Sequence, residues 1–241
     1  MQNISKNTIR RIAKDVKDIT NNNLQDSGIY YSHSKDNITQ GTIMIIGKEN
    51  TPYFNGFYFF NINFPNNYPF SPPLIKFNTN DGKTRFNPNL YRNGKVCLSI
   101  LNTWYGDQWS SCQTIRSVLL YLSSIFNSNP LLNEPGIKIS HPEVQFYNDY
   151  ISFINIQYTI YKNIDSSYIK NNYYQFYNIA ISHFKNNFKI IVDNINHNIN
   201  NNIKNKNNNK LFDISLYNMN NCYIDYTNLL INLKLLYIKL N

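Results

Sequence analysis

Cysteine is scarce in this chain of 241 residues, which argues against a fold held by disulfides or by a structural zinc ion. The three cysteines, Cys97, Cys112 and Cys222, form no Cys-x-x-Cys pair, and no histidine stands at zinc-ligand spacing from them. We therefore expect no structural metal site. An odd, sparse set of thiols also argues against a disulfide framework and is typical of a reducing compartment.

Long apolar runs are missing as well. No segment reaches the roughly 18 consecutive apolar residues that a membrane span needs, and the amino terminus lacks the apolar stretch of a signal peptide. We expect a soluble, cytoplasmic protein, with the nucleus as a second compartment and no membrane partner.

Charged residues make up only 15% of the chain, but their signs are unequal, with 23 Lys and Arg against 14 Asp and Glu and a formal net charge of +9. A positive charge favours acidic partners, such as nucleic acid or an acidic protein face. No nucleic-acid-binding motif accompanies it, and the charge is scattered along the chain. We therefore expect no nucleic-acid partner.

The spacing of apolar residues predicts an α+β fold. In the first twenty residues they recur at intervals of three and four, which predicts an amphipathic helix with a basic outer face. Runs rich in Ile, Tyr, Phe and Thr predict an antiparallel meander, whose last strand follows a proline-rich connection at 68–73. Residues 115–126 predict a buried central helix, with Ser110 or Ser111 as its cap. The predicted strands are 28–33, 38–46, 56–64 and 74–77.

The carboxy-terminal part of the chain is predicted to be mainly helical. An Asn and Lys tract at 194–209 has too little apolar content to pack, so we predict a disordered insertion there. We divide the chain into a core domain, 1–160, and a helical extension, 161–241. The helices predicted after the central one are 142–158, 166–192 and 226–240.

The candidate nucleophile lies in a long segment, 78–109, that has many turn formers and little periodicity. A loop this long inside a compact domain is usually functional. Cys97 stands in it, eight residues after the end of the Asn-Pro-Asn turn at Asn89. A thiol is intrinsically nucleophilic and a good leaving group, so Cys97 is a candidate for covalent catalysis, the alternative being a buried core cysteine. For Cys112 and Cys222 we expect a packing role.

These features resemble the ubiquitin-conjugating enzyme family over roughly residues 5–160. The resemblance implies the fold of that family: an amino-terminal helix, a four-stranded meander, a central helix and carboxy-terminal helices. The longer loop after the cysteine and the helical extension resemble one subclass of the family. The motifs that carry the resemblance are Tyr68-Pro69-Phe70-x-Pro72-Pro73, Asn87-Pro88-Asn89, Cys97 eight residues later, Thr103-Trp104, Trp109 and Asn133-Glu134-Pro135-Gly136.

The resemblance implies that Cys97 accepts ubiquitin or a ubiquitin-like modifier as a thioester from an activating enzyme. The modifier then passes to a substrate lysine or to a ligase. Asn89 matches the family's asparagine, which implies that its amide stabilises the oxyanion; the alternative, an amide that holds the loop, does not exclude this role. Asn133 and Glu134 lie where the family often has an acidic residue beside the incoming lysine, the alternative being a solvated turn. No cofactor is expected, because the activating enzyme consumes the ATP.

The resemblance also implies partner surfaces. Phe70 corresponds to an exposed loop residue that often contacts RING-type ligases, whereas the second such loop, around Ser111, departs from the usual Ser-Pro-Ala pattern. Asn87 replaces the family's usual histidine, which affects loop packing more than chemistry. For Trp104 and Tyr105 we favour an aromatic lid over the core rather than a surface of the subclass. The basic face that would meet the activating enzyme consists of Arg10, Arg11, Lys14 and Lys17.

One other function remains open within the same fold. A non-catalytic relative could bind ubiquitin as a scaffold without carrying it. Such variants usually lack the cysteine, whereas this chain has both Cys97 and Asn89. We therefore favour the active enzyme.

Overall fold

Helix α1 (Lys6–Asn21) is the first element of the computed structural model, which describes residues 4–204 and 211–241. The Ser5 hydroxyl accepts a hydrogen bond from the Thr8 backbone N–H at 3.0 Å. This cap satisfies one of the amide groups that the first helical turn leaves unpaired. The amphipathic pattern is confirmed, because Ile12 and Ile19 are buried against the core.

The predicted four-stranded antiparallel meander is confirmed, with strand order β1-β2-β3-β4. The observed strand ends lie within two residues of the predicted ones. Ile45 pairs with Tyr58, and Phe60 pairs with Phe77, which fixes the register of the three later strands. The strands are β1 (Ile29–His33), β2 (Gln40–Ile46), β3 (Phe57–Asn63) and β4 (Leu74–Phe77).

Both faces of this sheet are buried. Ile43 and Ile45 belong to a first core that also contains the apolar face of the central helix, whereas Met44 and Ile46 belong to a second core on the opposite face. Successive side chains of a strand point to opposite faces, so a strand buried on both sides reads as a continuous apolar run. This explains why β2 and β3 show little alternation between apolar and polar residues.

The central helix α2 (Ile115–Ser124) is confirmed, but its predicted cap at Ser110 or Ser111 is wrong. The cap is Thr114, whose side chain accepts from the Ser117 backbone N–H while the Ser117 hydroxyl accepts from the Thr114 backbone N–H at 2.9 Å. This reciprocal pair is a capping box. The two serines belong instead to a turn that precedes the helix.

The extension continues from the core domain without a break in helical structure. After α3 (Glu143–Ile154), a π-helical segment (Asn155–Lys162) contains the domain boundary that we placed at residue 160. The remaining helices are α4 (Asn163–Asp165), α5 (Tyr168–Asn172), α6 (Tyr174–Lys204) and α7 (Tyr226–Leu240). Within the described ranges, no helix is both long and apolar enough to span a membrane.

The structure corrects the disorder predicted for 194–209 over the part that it describes, 194–204. Helix α6 extends through this tract to Lys204, and Ile195 is fully buried in the second core. Ile195 and Ile199 are four residues apart, so both lie on the face of α6 that packs in the second core. Residues 205–210 lie outside the described part of the chain.

A short antiparallel hairpin between α6 and α7 was not predicted. It consists of β5 (Leu211–Ile214) and β6 (Met219–Tyr223), and Ile214, Met219 and Cys222 bury their side chains in the first core. The extension therefore contributes to both cores: its helices pack in the second, and its hairpin packs in the first.

We predict that Ile195→Ala lowers the free energy of unfolding by about 2 to 5 kcal/mol, the usual cost of removing most of a buried isoleucine. Urea unfolding followed by circular dichroism measures the change. The exposed neighbour gives a matched control, because Asn196→Ala should leave the stability unchanged or slightly higher. Equal midpoints for Ile195→Ala and the unchanged protein would show that this part of α6 does not pack.

Candidate active site

The Asn-Pro-Asn turn and the cysteine after it are folded against each other. The Cys97 backbone N–H donates to the Asn89 carbonyl at 2.9 Å, and the Asn89 Nδ2 donates to the Cys97 carbonyl at 2.8 Å. Both residues are buried, and Cys97 is 1% exposed. Through the Cys97 backbone, the structure thus joins the residue of the predicted nucleophile to the predicted oxyanion donor.

The Asn89 amide has hydrogen-bonding capacity to spare. A side-chain amide carries two N–H donors and one acceptor oxygen. The Cys97 carbonyl takes one donor, and the buried Oδ1 has no hydrogen-bond partner among the described residues. The bond to Cys97 shows that this amide holds the loop, one of the two alternatives considered. The second N–H leaves the oxyanion role open.

Asn87, where the family usually has histidine, makes a full set of hydrogen bonds. Its Nδ2 donates to the Tyr53 hydroxyl at 2.9 Å and to the Ile125 carbonyl at 2.8 Å. Its Oδ1 accepts from the Asn89 backbone N–H at 2.9 Å. A fully buried polar group is tolerated when it is satisfied in this way, so the replacement keeps the turn fixed to the core.

Asn133 and Glu134 make hydrogen bonds to different parts of the protein. The Asn133 amide donates to the Ile125 carbonyl at 3.2 Å and accepts from the Asn127 amide at 2.8 Å, so it holds its own loop. This arrangement does not fit the predicted contact with an incoming lysine. The Glu134 Oε2 accepts a hydrogen bond from the Tyr217 hydroxyl at 2.8 Å. Of the two, Glu134 is the candidate for orienting a lysine amine.

Arg85 is a site residue that the sequence did not single out. Its guanidinium donates to the Asn87 carbonyl at 3.1 Å and to the Pro88 carbonyl at 2.6 Å. The same group lies 3.3 Å from the ring centroid of Tyr91, within cation–π range. A basic residue directly before Phe-Asn-Pro-Asn was visible in the sequence, but its partners are fixed only by the folded loop.

The basic face of α1 is smaller than predicted. Arg10, Lys14 and Lys17 are exposed, as a surface for a partner requires. Arg11 does not belong to this face, because its side chain is half-buried, pairs with Asp15 at 3.0 Å and donates to the Ser111 carbonyl at 2.7 Å. Its guanidinium also donates to the carbonyl of Gln113. Arg11 therefore fixes the loop before α2 to α1.

The two predicted ligase-contact loops lie close together. Phe70 is 81% exposed, although most phenylalanines of this chain are buried. The Trp109 indole N–H donates to the Pro69 carbonyl at 2.7 Å, which joins the Phe70 loop to the segment that leads to Ser111. The Ser111 side chain is exposed, and its carbonyl accepts from Arg11. These residues and α1 form one continuous region of the surface.

Trp104 and Tyr105 do not form the aromatic lid that we predicted. Tyr105 is 89% exposed and cannot cover a core, and Trp104 is half-buried with its ring 6.2 Å from that of Tyr105 in an edge-on arrangement. The tryptophan that does cover the core is Trp109, whose ring centroid lies 5.9 Å from that of Tyr68. The inserted loop therefore presents its aromatic residues to solvent.

The other two cysteines differ in environment. Cys222 packs in the first core, as predicted, and burial together with the nearby Asp213 raises its pKa to about 11. Cys112 is exposed, so the packing role predicted for it is wrong. Its segment is a turn on the protein surface ahead of α2 rather than the buried entrance of the helix.

The arrangement around Cys97 suits acyl transfer through a thiol. A cysteine can take an acyl group as a thioester, and an amide N–H beside it can face the negative charge that develops on the carbonyl oxygen. An α+β domain with this site belongs to the class that carries a protein modifier as a thioester. The chain is a member of the ubiquitin-conjugating enzyme family: the sequence profile described as "Ubiquitin-conjugating enzyme" matches residues 11–152, more than half of its length.

Individual relatives agree with the family and with the predicted subclass. Ubiquitin-conjugating enzyme E2 Z of Homo sapiens is 40% identical over 153 residues, which cover 62% of this chain and 43% of the relative. The Danio rerio protein of the same name is 41% identical over 150 residues, covering 61% and 45%. The putative ubiquitin-conjugating enzyme E2 38 of Arabidopsis thaliana is 32% identical over 185 residues, covering 70% and 56%. The chain matches less than half the length of the two E2 Z relatives.

We predict that the three thiols differ in their rate of alkylation. Cys112 should react first with iodoacetamide, because it is exposed, and Cys222 should react last, because it is buried and its raised pKa lowers the thiolate fraction at mildly alkaline pH. Mass spectrometry of peptides from a time course measures each rate. Cys112→Ser should remove the fast phase alone. A fast phase that survives this substitution would contradict the exposure assigned to Cys112.

Proposed function

We propose that this chain is a ubiquitin-conjugating enzyme that accepts ubiquitin or a ubiquitin-like modifier on Cys97 and transfers it to a lysine or to a ligase. The observation that carries the proposal is the hydrogen-bonded contact between Cys97 and Asn89, which lies inside the segment that matches the family. The names of the relatives refer to ubiquitin, which supports ubiquitin as the modifier.

Two acyl transfers make up the proposed reaction. In the first, the Cys97 sulfur attacks the carbonyl carbon of the modifier's terminal glycine, which arrives as a thioester on the activating enzyme, and the thiol of that enzyme leaves. In the second, a lysine amine attacks the same carbonyl, the bond to the Cys97 sulfur breaks, and an amide forms as the amine loses a proton. Each step passes through an oxyanion, and in the second step an amide donor stabilises it.

Two side chains have assigned parts in the second step. Asn89 supplies the N–H that its contact with Cys97 leaves unused, and Glu134 orients the amine and receives its proton. The chemistry uses only side chains of this chain and needs no cofactor, since ATP is consumed by the activating enzyme.

The partners follow from the exposed surfaces. Arg10, Lys14 and Lys17 of α1 form the proposed surface for the activating enzyme, and Phe70 with Ser111 forms the proposed surface for a ligase. A protein substrate completes the set, and neither nucleic acid nor a membrane takes part. The three cysteines are free thiols, which fits a reducing compartment, and we propose the cytoplasm, with the nucleus as a second location.

The first test of the proposal is charging. With an activating enzyme, ATP and ubiquitin, the protein should form an adduct that a thiol reductant removes. Cys97→Ala should abolish the adduct, whereas Cys112→Ala, the matched substitution at an exposed cysteine, should leave it unchanged. A panel of activating enzymes and modifiers, separated by non-reducing electrophoresis, identifies the modifier. An adduct that survives Cys97→Ala contradicts the assignment, and ubiquitin binding without charging supports the non-catalytic scaffold instead.

The second prediction separates the two acyl transfers. In Asn89→Ala, discharge of the Cys97 thioester to free lysine should slow by about 10²-fold, the typical effect of losing one oxyanion donor. Single-turnover chase after removal of ATP measures this rate. The same variant also loses the bond to the Cys97 carbonyl, so its melting temperature is the control for loop damage. Discharge at the unchanged rate by a folded Asn89→Ala protein would exclude the oxyanion role.

A further inference from the structure

The turn of the β5–β6 hairpin lies against the loops that surround Cys97. The turn consists of Ser215–Tyr217, and Ser215 and Leu216 are both bonded to the carboxylate of Glu143 at the start of α3. The distances are 2.8 Å from the Ser215 backbone N–H and 3.2 Å from that of Leu216. This anchor places the next residue, Tyr217, between the loops of the site.

Tyr217 contacts three segments that border the cysteine. Its hydroxyl donates to Glu134 at 2.8 Å, and its carbonyl accepts from the Arg92 guanidinium, in the turn before Cys97, at 2.6 Å. Its ring centroid lies 5.3 Å from the guanidinium of Arg85, the residue that holds the Asn-Pro-Asn turn. One residue, about 120 positions after the cysteine in the chain, thus joins the loops on which the proposed chemistry depends.

The Tyr217 hydroxyl is bonded to only one of the two oxygens of the Glu134 carboxylate. Oε2 accepts from Tyr217, while Oε1 has no hydrogen bond to any residue in the described ranges. The two oxygens of a carboxylate lie in one rigid plane. A donor that holds Oε2 therefore also fixes the direction of Oε1. Burial and the adjacent carboxylate raise the pKa of Tyr217, so the hydroxyl remains a donor at neutral pH.

We propose that Tyr217 is a positioning residue for the second acyl transfer. Its hydroxyl orients the Glu134 carboxylate so that the free oxygen receives the proton of the attacking lysine amine. Tyr217 does not itself touch the reacting atoms. This inference rests on the proposed function, and it gives the carboxy-terminal hairpin a part in the transfer rather than in packing alone.

The test is the rate at which the charged, full-length protein discharges to free lysine. Tyr217→Phe keeps the ring against Arg85 and the backbone carbonyl for Arg92 but removes the donor to Glu134. It should slow discharge about fivefold or more, because a hydrogen bond to a charged group is lost. Charging of Cys97 should be unchanged. Tyr223→Phe is the matched control on the same hairpin, because the Tyr223 hydroxyl has no hydrogen bond to a described residue, and it should discharge at the unchanged rate.

Two further measurements separate positioning from a loss of structure. The double variant Tyr217→Phe/Glu134→Gln should be no slower than Glu134→Gln alone, because both changes act through one carboxylate. Discharge to hydroxylamine, a nucleophile that is largely unprotonated near neutral pH, should be equal in all variants. The comparison of lysine with hydroxylamine also keeps the test valid if Tyr217→Phe lowers the melting temperature, because a loss of structure would slow both discharges.

The possible results distinguish this inference from the function it rests on. If the unchanged protein fails to charge on Cys97 with every activating enzyme, the proposed function is wrong and the inference falls with it. If charging is normal but Tyr217→Phe discharges to lysine at the unchanged rate, the inference alone is wrong. Equal slowing with lysine and hydroxylamine, or additive effects in the double variant, would also overturn it, because the hydroxyl would then act through general packing.

Discussion

Burial of the four-stranded sheet on both faces is the constraint on which the rest of this structure depends. The inner face packs against α1 and α2 and supports the loops that carry Cys97. The outer face would expose a broad apolar surface to water if the helices of the extension did not cover it. The extension is therefore part of the same folded unit as the core domain. Its path over the sheet also returns the hairpin to the side where the candidate site lies.

The site is fixed by amide side chains together with the Arg85 guanidinium, which donates to two carbonyls of the Asn-Pro-Asn turn. Asn87 joins the turn to Tyr53 and to the end of α2, and Asn133 joins the neighbouring loop to the same point. Buried amides hold a loop firmly when each donor and acceptor is paired. This network places Asn89 against Cys97.

The regular elements could be predicted because their signal is local. Helical and strand spacing located α1, α2 and the four strands within a few residues, and the family motifs located Cys97 and Asn89. Three expectations failed where the partner was distant in sequence. Arg11 was assigned to a free basic face, although Ser111 and Gln113 occupy it. The other two were the disorder over the described residues 194–204 and the packing of Cys112, since burial depends on what the fold places opposite a residue.

The sequence by itself determined the family, the order of the elements in the core domain and the candidate nucleophile, because these follow from local periodicity and from motifs read along the chain. Only the tertiary structure decided which polar side chains work together. Asn133 and Glu134 are adjacent in sequence, yet one holds its loop and the other meets Tyr217. No pattern in the sequence predicts the hydrogen bond between Glu134 and Tyr217. Hydrogen bonds between distant segments depend on side-chain directions that are fixed only when both cores have formed.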